Sequence, residues 1–519
     1  MDRTQALLTL KTHPTPFDIA IVGGGATGLG TAVDAASRGH TVALIEQSDF
    51  AKGTSSRSTK LVHGGVRYLR QGNLSLVFGA LRERGLLYQN APHLVRNRSL
   101  IVPIYHWPDA IAYGLGLKVY DRLAGSRSFG ASKCLSPEET LRRLPTLNPS
   151  HLLGGVMYHD GQFDDARLAV NLAQTATELG AAVANYVGCI GLVKQDGQIV
   201  GLRARDAETG DEFDIPATTV INATGVFVDA VRQMDDPDEP AIVSPSQGVH
   251  LVLPREFLPG DDALLVPQTD DGRVLFAVPW HGRVVLGTTD TPVARVTLEP
   301  RALPEETEFI LKHAAQYLTR APTPSDVLSV YAGLRPLVRS GKMQQTASLS
   351  RDHQISVSAS GLITITGGKW TTYRKMAEDV VDRAERAGHL KRLSCQTRTL
   401  QIHGWTEASM PENSLSPYGA DAKEIQALVD RNPDLDKRLH PQLEVRPAEV
   451  IWQVRNEMAR QVEDVLARRT RSLFLNASAS IECATVVAQL MASELNCGQD
   501  WIEEQVKQYS AIAQGYCLG

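Results

Sequence analysis

The stretch Phe17-Asp-Ile-Ala-Ile-Val-Gly-Gly-Gly-Ala-Thr-Gly28 decides the fold of this 519-residue chain. In it an apolar strand runs directly into glycines spaced G-x-G-x-x-G, at Gly23, Gly25 and Gly28. Glycine at these positions allows a tight turn, close approach of the backbone to a pyrophosphate, and close packing of the following helix on the strand. A helix is expected over residues 29–38, and its N-terminal amides can bind the phosphates. The pattern therefore predicts a dinucleotide site.

The apolar run Thr41-Val-Ala-Leu-Ile45 closes a βαβ unit and is followed by Glu46. A carboxylate at that point can accept both hydroxyl protons of a ribose. Gln47 comes next, so no arginine stands beside the acid to bind a 2′-phosphate. On its own, G-x-G-x-x-G also occurs in plain glycine-rich turns. The order of strand, helix and acid favours the dinucleotide site.

Length and composition limit what surrounds this site. A chain of 519 residues is long enough for two or three domains with a large buried core. The formal net charge of −5 provides no general attraction for nucleic acid, so we do not expect that partner. The six cysteines are far apart and form no C-x-x-C pair, which argues against zinc or a disulfide framework and fits a reducing compartment. No apolar run reaches about 18 residues and the first residues resemble no signal peptide, so a cytoplasmic location is expected.

Periodicity predicts the remaining elements. Strands are expected at 182–187, 199–205 and 218–225, and alternating strands from 248 to 290. Helices are expected at 73–90, 136–144, 164–180, 304–318 and 371–387. Residues 402–419, rich in Pro, Gly and His, are the predicted linker to an almost wholly helical region over 421–515.

Several separate motifs carry a resemblance to one family. They are Ile21–Gly28, Thr54–Tyr68, Ile221–Gly225, Gly248–Val252, Gly287–Asp290, Gly333–Pro336 and Gly367–Arg374. Between about residues 17 and 390 the chain resembles the FAD-dependent, membrane-associated glycerol-3-phosphate dehydrogenases. The sequence around Gly367 is most similar to the mitochondrial type, but no D-x-[DN]-x-[DN]-G calcium loop occurs here. A bacterial-type enzyme without calcium control is therefore expected.

This resemblance implies an α/β fold with an FAD-binding Rossmann-like domain, an antiparallel-sheet substrate domain and a C-terminal all-helical domain. The expected boundaries are 1–75, 155–240 and 330–390 for the FAD-binding domain, 76–154 and 241–329 for the substrate domain, and 400–519 for the helical domain. The resemblance also implies oxidation of sn-glycerol 3-phosphate to dihydroxyacetone phosphate by hydride transfer to FAD, with electrons passed to a membrane quinone. Attachment would be peripheral, on the cytoplasmic face of the inner membrane. A homodimer is left open, and no metal is expected.

Oxidation of a secondary alcohol needs a base for the hydroxyl proton and positive charge for the reduced flavin. Gly367 and Gly368, between a strand and a helix, can present backbone amides to the ring, and Lys369 adds a cation there. His250 is the expected base or carbonyl polariser, because a neutral imidazole can accept a proton near pH 7. A hydrogen-bonded core histidine is the alternative interpretation of His250.

The phosphate of the substrate requires matched donors, for which the guanidinium fork is well suited. The resemblance assigns this role to Arg335, within Gly-Leu-Arg-Pro, and to Arg351 and Arg67. Tyr68 follows Arg67 at the end of a basic loop and is included with it in the substrate site. Solvated surface positions are the alternative for each arginine.

Other positions resemble cofactor contacts of the family. The basic loop is similar to the segment that wraps the flavin and its phosphates, and residues 221–225 are similar to a second dinucleotide turn. These additional candidates are Thr54, Ser55, Ser56, Ser58, Lys60, His63, Ala223, Thr224 and Gly225. A flexible polar loop and a plain strand end are the alternatives.

Two other classes of function remain open. One is an oxidase of the same fold, acting with oxygen on amines, amino acids or glycerol phosphate. An amine or amino-acid oxidase would not need several cations to bind a phosphate. The presence of Arg335, Arg351 and Lys369 therefore argues against these oxidases. The other is a non-enzymatic nucleotide-binding regulator, with the C-terminal helices as an interaction module.

Residues 100–124 concentrate apolar and aromatic side chains, interrupted by Pro103, Pro108 and few charges. Such a segment can lie in a membrane interface but is too interrupted to span a bilayer. We therefore predict peripheral attachment through this segment, with a core helix of the substrate domain as the alternative.

Overall fold

The computed structural model describes residues 1–65, 74–267, 269–270, 272–338, 353–407 and 414–518. The strands in these ranges, numbered along the chain, are β1 Phe17–Val22, β2 Val42–Ile45, β3 Leu61–Val62, β4 Val95–Ile104, β5 Lys133–Leu135, β6 Gly154–Phe163, β7 Ala182–Ala184, β8 Val187–Gln195, β9 Gln198–Asp206, β10 Glu212–Asn222, β11 Val243–Pro254, β12 Ala263–Val266, β13 Leu275–Trp280, β14 Arg283–Gly287, β15 Thr291–Pro292, β16 Ser329–Val338, β17 His353–Val357 and β18 Ile363–Gly367.

The α-helices in the same ranges are α1 Arg3–Thr12, α2 Ala26–Arg38, α3 Leu74–Asn90, α4 Trp107–Ala124, α5 Pro137–Arg143, α6 Asp165–Glu178, α7 Val228–Asp235, α8 Pro304–Tyr317, α9 Tyr373–Ala387, α10 Ala422–Arg431, α11 Pro447–Asn456, α12 Ser472–Leu475, α13 Ala477–Leu495 and α14 Gln499–Ala513. A π-helix spans Asp464–Arg469 and a 3-10 turn spans Trp370–Thr372. The predicted helix over 164–180 begins where expected, because the Asp164 side chain accepts from the Arg167 amide as its N-cap.

The strand of the glycine motif, β1, lies inside a mainly parallel sheet that we call the cofactor sheet. β2 and β10 flank β1 in parallel, with Ile21 opposite Leu44 on one side and Ile221 on the other. The strand order is β17-β18-β10-β1-β2-β7, and the antiparallel pair β8–β9 joins β10. Strands covered on both faces must be apolar throughout, which is why β1 is an unbroken apolar run after Asp18. The carboxyl ends of β1, β2, β10 and β18 consequently meet at one edge.

The second sheet is antiparallel except where β12 pairs with β4, and its order is β15-β11-β14-β13-β12-β4-β6-β3. β16 pairs with β11, and β5 pairs with β6. The fold is therefore the predicted α/β fold with a Rossmann-like sheet, an antiparallel sheet and C-terminal helices.

Two predicted domain boundaries differ from the observed pairing. The predicted FAD-binding ranges 155–240 and 330–390 include β6 and β16, and these strands pair with β4 and β11 in the second sheet. An apolar run shows that a strand is buried, but its partner is decided by tertiary packing. Both strands therefore belong with the antiparallel sheet.

The C-terminal helices pack against the first βαβ unit through buried ion pairs. Asp49, after β2, pairs with Arg468 at 2.5 Å and also with Arg469. Glu463 and Asp464 contact the same Arg468 at 2.5 and 2.6 Å. We call these five residues the seam cluster, and each side chain in it is at most 5% exposed. The helical region is therefore anchored to the loop that follows Glu46.

Segment 100–124 divides into a buried strand and a half-exposed helix. Ile101 and Val102 in β4 are fully buried, and so is Leu117 in α4. These residues belong to the core, as in the alternative interpretation, because β4 lies inside the second sheet and Leu117 is on the buried face of α4. The other face of α4 presents Trp107, Ile111, Leu115 and Val119, which are 71%, 71%, 67% and 38% exposed.

Candidate active site

A cavity of about 830 Å³ lies between the carboxyl edge of the cofactor sheet and the second sheet. It brings the glycine turn together with side chains of β11 and β16. Its lining includes these predicted site residues: Gly23, Gly25, Glu46, Thr54, Ser55, Ser58, His63, Ala223, Thr224, Gly225, His250, Arg335, Gly367, Gly368 and Lys369. The predicted residues Arg67, Tyr68 and Arg351 lie outside the described residues.

The glycines of the first turn are required by close backbone packing. Gly23 has φ +113°, and a Cβ there would lie 2.8 Å from the Ala223 carbonyl oxygen. A Cβ on Gly28 would overlap the carbonyl oxygen of Gly23, so Gly28 packs helix on strand and does not line the cavity. Gly25 is the N-cap of α2, which leaves the first amides of that helix at the cavity wall.

Glu46 stabilises the glycine turn and lines the cavity as well. Its Oε2 accepts from the Gly24 amide at 2.7 Å, and its Oε1 accepts from the Ser48 amide at 2.9 Å. Burial raises the pKa of Glu46, and these two amide hydrogen bonds act against the rise. A carboxylate offers about four lone-pair sites, so acceptor capacity remains for ribose hydroxyls.

Segment 54–60 faces the cavity with its first residues. The Ser55 hydroxyl accepts from the Ala26 amide at 2.9 Å, and the Ser55 carbonyl accepts from the Trp370 indole at 2.8 Å. The Thr54 hydroxyl donates to the Leu334 carbonyl at 2.5 Å. Thr54 and Ser55 therefore connect the first turn of α2 with β16 and with the turn before α9.

Ser56 and Lys60, which the sequence analysis assigns to cofactor contacts, are not among the residues that line the cavity. The Lys60 ammonium donates to Asp165 Oδ2 and to the Ser56 carbonyl, both at 2.7 Å, and Lys60 is completely buried. Arg471 donates to the same Ser56 carbonyl at 2.8 Å. Because Asp165 and Arg471 come from α6 and the C-terminal region, the sequence of the loop gave no sign of them.

Lys60 lies in an aromatic box between the cavity and the C-terminal helices. Its ammonium is within 5.3 Å of the ring centres of Trp280, Tyr331 and Phe474. Burial, and then the neighbouring Arg471, lower the pKa of Lys60 to about 7, although Asp165 opposes the change. This cation therefore supports the cavity wall and does not line the cavity.

The turn after β18 presents backbone and one cation to the cavity. Gly367 and Gly368 have φ +81° and +75°, which side-chain-bearing residues rarely adopt. Lys369 follows as the N-cap residue of the 3-10 turn at 370–372, and α9 begins only at Tyr373. The predicted strand, glycine turn and helix are present, with a 3-10 turn between the glycines and α9.

His250 lies on β11 with its ring against the cavity and is only 2% exposed. Its Nε2 is 2.9 Å from the Thr59 hydroxyl, and its ring stacks on Tyr331 with centroids 4.9 Å apart. Among the described residues, its Nδ1 has no hydrogen-bond partner. Burial, followed by the charges of Arg335 and Lys60, lowers the pKa of His250 well below its ordinary value. The imidazole is therefore neutral and can accept a hydrogen bond or a proton.

Arg335 lies on β16, opposite Ser246 of β11, the strand that carries His250. Its guanidinium donates to the Thr289 carbonyl at 3.0 Å and to the Thr288 hydroxyl at 3.2 Å, and it pairs with Asp290 at 3.2 Å. These contacts orient the guanidinium. The side chain is 25% exposed and lines the cavity.

Two cavity residues, Thr59 and Arg57, were missed by the sequence analysis. Thr59 orients His250, as described above. Arg57 is 5% exposed and pairs with Glu299 at 2.8 Å. Both lie inside the basic loop that the sequence analysis selected, where neighbouring hydroxyls and cations gave no basis for choosing between them.

The residues of the cavity fit a bound FAD. Gly23, Gly25 and Thr27 line the cavity at the start of α2, where helix amides can bind a pyrophosphate, and Glu46 is available for a ribose. A volume of about 830 Å³ is within the range of cofactor sites. Gly367, Gly368 and Lys369 would then hold the flavin end, where the hydride is accepted.

Comparison with known proteins agrees with this site. The family described as FAD dependent oxidoreductase matches residues 18–374, and the C-terminal domain of alpha-glycerophosphate oxidase matches residues 361–502. The mitochondrial glycerol-3-phosphate dehydrogenase of Bos taurus is 41% identical over 540 residues, covering 97% of this chain and 74% of the relative. The solved structure of the Bacillus halodurans glycerol-3-phosphate dehydrogenase with FAD has a TM-score of 0.81 and 28% identity, covering 99% of this chain and 97% of that one.

The fold and cavity thus define an oxidoreductase whose cofactor is FAD. Within that class, the chain belongs to the family of FAD-dependent glycerol-3-phosphate dehydrogenases. The predicted family, fold class and cofactor are therefore confirmed.

Proposed function

We propose that the chain oxidises sn-glycerol 3-phosphate to dihydroxyacetone phosphate by hydride transfer to FAD and passes the electrons to a membrane quinone. The observation that carries this proposal is the meeting of a neutral histidine, His250, and an oriented arginine, Arg335, in the cavity of the FAD turn. The names of the relatives at about 41% identity support the same substrate.

Each side chain has a distinct part in this proposal. FAD, when bound, supplies the hydride acceptor. Arg335 binds the phosphate dianion, and its contacts with Thr288 and Thr289 hold the guanidinium in one orientation. His250 accepts the hydroxyl proton of the substrate, and Thr59 fixes the imidazole. Lys369 places positive charge near the flavin, where negative charge develops on reduction.

The low pKa of His250 is compatible with this role. Arg335 and Lys60 are two of the causes of the decrease, after burial. A substrate phosphate carries two negative charges, so its binding beside Arg335 offsets that repulsion. We therefore expect His250 to become more basic when the substrate binds.

An anaerobic titration tests the assignment of the substrate. Addition of sn-glycerol 3-phosphate should abolish the visible absorption of oxidised flavin, whereas glycerol, which lacks the phosphate, should leave it unchanged. A flavin that stays oxidised with sn-glycerol 3-phosphate, or that glycerol reduces equally, would contradict the proposal. A non-enzymatic regulator would show no bleaching with either compound.

The oxygen-dependent alternative is favoured by one observation. The L-alpha-glycerophosphate oxidase of Mycoplasma pneumoniae shares the fold, with a TM-score of 0.57 and 17% identity. In air, a quinone-dependent enzyme should turn over with a soluble quinone and release little peroxide. Stoichiometric peroxide without quinone would replace the dehydrogenase assignment by an oxidase.

Transfer to a lipid-soluble quinone requires the enzyme to reach a membrane, and we propose peripheral attachment through α4 on the cytoplasmic face of the inner membrane. The exposed apolar residues of α4 recur every four positions and so form one stripe: Trp107, Ile111, Leu115 and Val119. Phe78 and Leu74 of the neighbouring α3 are 54% and 50% exposed, and we call the stripe and these two residues together the apolar patch. No helix among the described residues is long and apolar enough to cross a membrane. The patch therefore supports attachment to the surface of a bilayer.

Vesicle sedimentation with matched variants tests this attachment. Trp107→Glu combined with Leu115→Glu should move the protein from the pellet to the supernatant. Leu8→Glu combined with Val486→Glu, at residues that are 54% and 42% exposed elsewhere, is the control and should sediment like wild type. Equal sedimentation of all three proteins would mean that α4 is not the attachment face.

A further inference from the structure

The last turn of the C-terminal helical region reaches the wall of the FAD cavity. Arg301 donates to the Ile512 carbonyl at 3.0 Å, and a Cβ on Gly515 would overlap its guanidinium. The Arg301 carbonyl in turn accepts from the Gln247 side chain at 2.9 Å on β11. Residues 512–516 are thus docked on the loop after β15, and Gly515 leaves space for the Arg301 guanidinium.

Tyr516 continues this contact towards the cavity. Its hydroxyl donates to Glu299 Oε2 at 3.1 Å, and its ring packs against Phe474 with centroids 5.6 Å apart. The same Glu299 Oε2 pairs with the Arg57 guanidinium at 2.8 Å. One carboxylate oxygen therefore connects the end of the helical region with a cation of the basic loop.

Arg57 is the member of this bridge that lines the cavity. Its side chain is 3% exposed, and among the described residues its Nε–H has no hydrogen-bond partner. A buried N–H without a partner is unfavourable, and a bound ligand in the cavity can remove that cost. The Gly333 backbone of β16 packs against Arg57, where a Cβ on Gly333 would lie 3.0 Å from the Arg57 Cβ and 3.0 Å from its carbonyl oxygen.

We infer that Tyr516 and Glu299 are positioning residues for FAD binding, and that they act by holding Arg57 in the cavity wall. Arg57 contributes the cofactor contact, Glu299 orients its guanidinium, and Tyr516 orients Glu299. The C-terminal region is in this way a functional part of the cofactor site, in addition to its structural role at the seam cluster.

The test is the dissociation constant of FAD, measured by titrating apoprotein with FAD and following flavin fluorescence. Arg57→Ala should weaken binding by about tenfold or more, and Tyr516→Phe and Glu299→Gln by about threefold to tenfold, as expected for loss of one hydrogen bond near a charge. Because the three residues act in series, Arg57→Ala with Tyr516→Phe should bind FAD no more weakly than Arg57→Ala alone.

Tyr509→Phe is the matched control, because the Tyr509 hydroxyl is buried in the same helical region but bonds Ser480 on α13 and does not line the cavity. Urea unfolding of the apoproteins separates FAD affinity from stability, and also covers the case in which Arg57→Ala does not fold. Weaker FAD binding by Tyr516→Phe and Glu299→Gln, with Tyr509→Phe at the wild-type value, supports the inference. Wild-type affinity in Tyr516→Phe, equal losses in Tyr516→Phe and Tyr509→Phe, or additive losses in the double variant would overturn it.

Discussion

Arg335 in the cavity and Arg469 in the seam cluster are both held by an aspartate, yet their surroundings differ. The Arg335 side chain is 25% exposed, contacts Asp290 at 3.2 Å, and also donates to the Thr288 hydroxyl and the Thr289 carbonyl. Arg469 is fully buried and donates to both oxygens of Asp49, which is fully buried as well. The first arrangement leaves a cation available to an anionic ligand, while the second neutralises the cation within the protein.

This difference distinguishes charged side chains that can bind a ligand from charged side chains that are paired within the folded protein. A buried ion pair of good geometry contributes little net stability compared with apolar packing, but removal of one partner is costly because the other is left unpaired. A partly exposed cation keeps part of its capacity for a ligand. The contrast predicts where a substitution affects stability and where it affects catalysis.

Loss of the seam carboxylate should have the largest effect. Asp49→Asn leaves Arg468 and Arg469 without their shared partner, and the free energy of unfolding should fall by about 3–5 kcal/mol. Urea unfolding of the apoprotein measures this. The exposed pair Arg205–Glu212 provides the control, since Glu212→Gln should change stability by less than about 1 kcal/mol. If the two variants lose the same stability, the seam cluster is not an anchor.

Loss of the cavity cation should affect kinetics instead. Arg335→Ala leaves the substrate phosphate short of a donor, and kcat/KM for sn-glycerol 3-phosphate should fall by an amount equivalent to about 2–5 kcal/mol. FAD content and unfolding should stay near wild type. Arg320→Ala, at a surface arginine with a 59% exposed side chain, is the control and should keep full activity. An unchanged kcat/KM in Arg335→Ala would remove Arg335 from the phosphate site.

A smaller effect is expected where the cavity depends on one neutral hydrogen bond. Thr59→Val removes the hydroxyl that fixes His250, which should lower kcat/KM by about 1 kcal/mol, or roughly fivefold, and change its pH profile. Thr59→Ser keeps the hydroxyl and should restore most of the activity. Equal kinetics for Val and Ser at this position would show that Thr59 does not orient the imidazole.

The smallest effect should come from a partly exposed ion pair at the edge of the helical region. Burial alone would lower the pKa of His403, but Asp421 at 2.8 Å and Glu178 outweigh it and raise the pKa to about 9. A raised folded pKa means that the stabilisation is complete below about pH 6.5 and is lost as the pH rises through about 9.

His403→Asn measures this contribution. The side chain of His403 is 19% exposed and Glu178 is 58% exposed, so solvent screening limits the difference in unfolding free energy to about 1 kcal/mol at pH 6. The difference between wild type and His403→Asn should disappear towards pH 10. A difference that does not depend on pH would mean that the charge of His403 makes no contribution.

The parts of the site that could be predicted from the sequence are those determined by short-range chemistry. The glycine turn, Glu46 and the turn at Gly367 each come directly after an apolar strand in the sequence, so strand, glycine and acid identify them. Lys60 could not be assigned in this way, since the position of its ammonium depends on Asp165 and is affected by Arg471. Arg57 was missed for the same reason, because Glu299 and Tyr516 hold it from distant parts of the chain.

The fold shows the same limit at β16 and α4. The apolar pattern of β16 correctly indicated a buried strand, but its pairing with β11 was not encoded in that pattern. In α4 the concentration of apolar residues predicted an interface, whereas one face of the helix is core and only the other is exposed. Periodicity identifies the element, and only the packed neighbours decide which face is covered.

The bridge from Tyr516 to Arg57 also has a consequence for the order of events during synthesis. The glycine turn is synthesised before its structural partners. β1 can pair with β10, where Phe17 lies opposite Ala217, only after β10 has been made, and Asp49 can pair with Arg469 only after residue 469 has been made. Glu299 receives the hydroxyl of Tyr516 only after residue 516 has been made. A growing chain therefore carries the phosphate-binding turn long before it has a complete pocket, and FAD affinity is expected to reach its full value only after translation has passed residue 516.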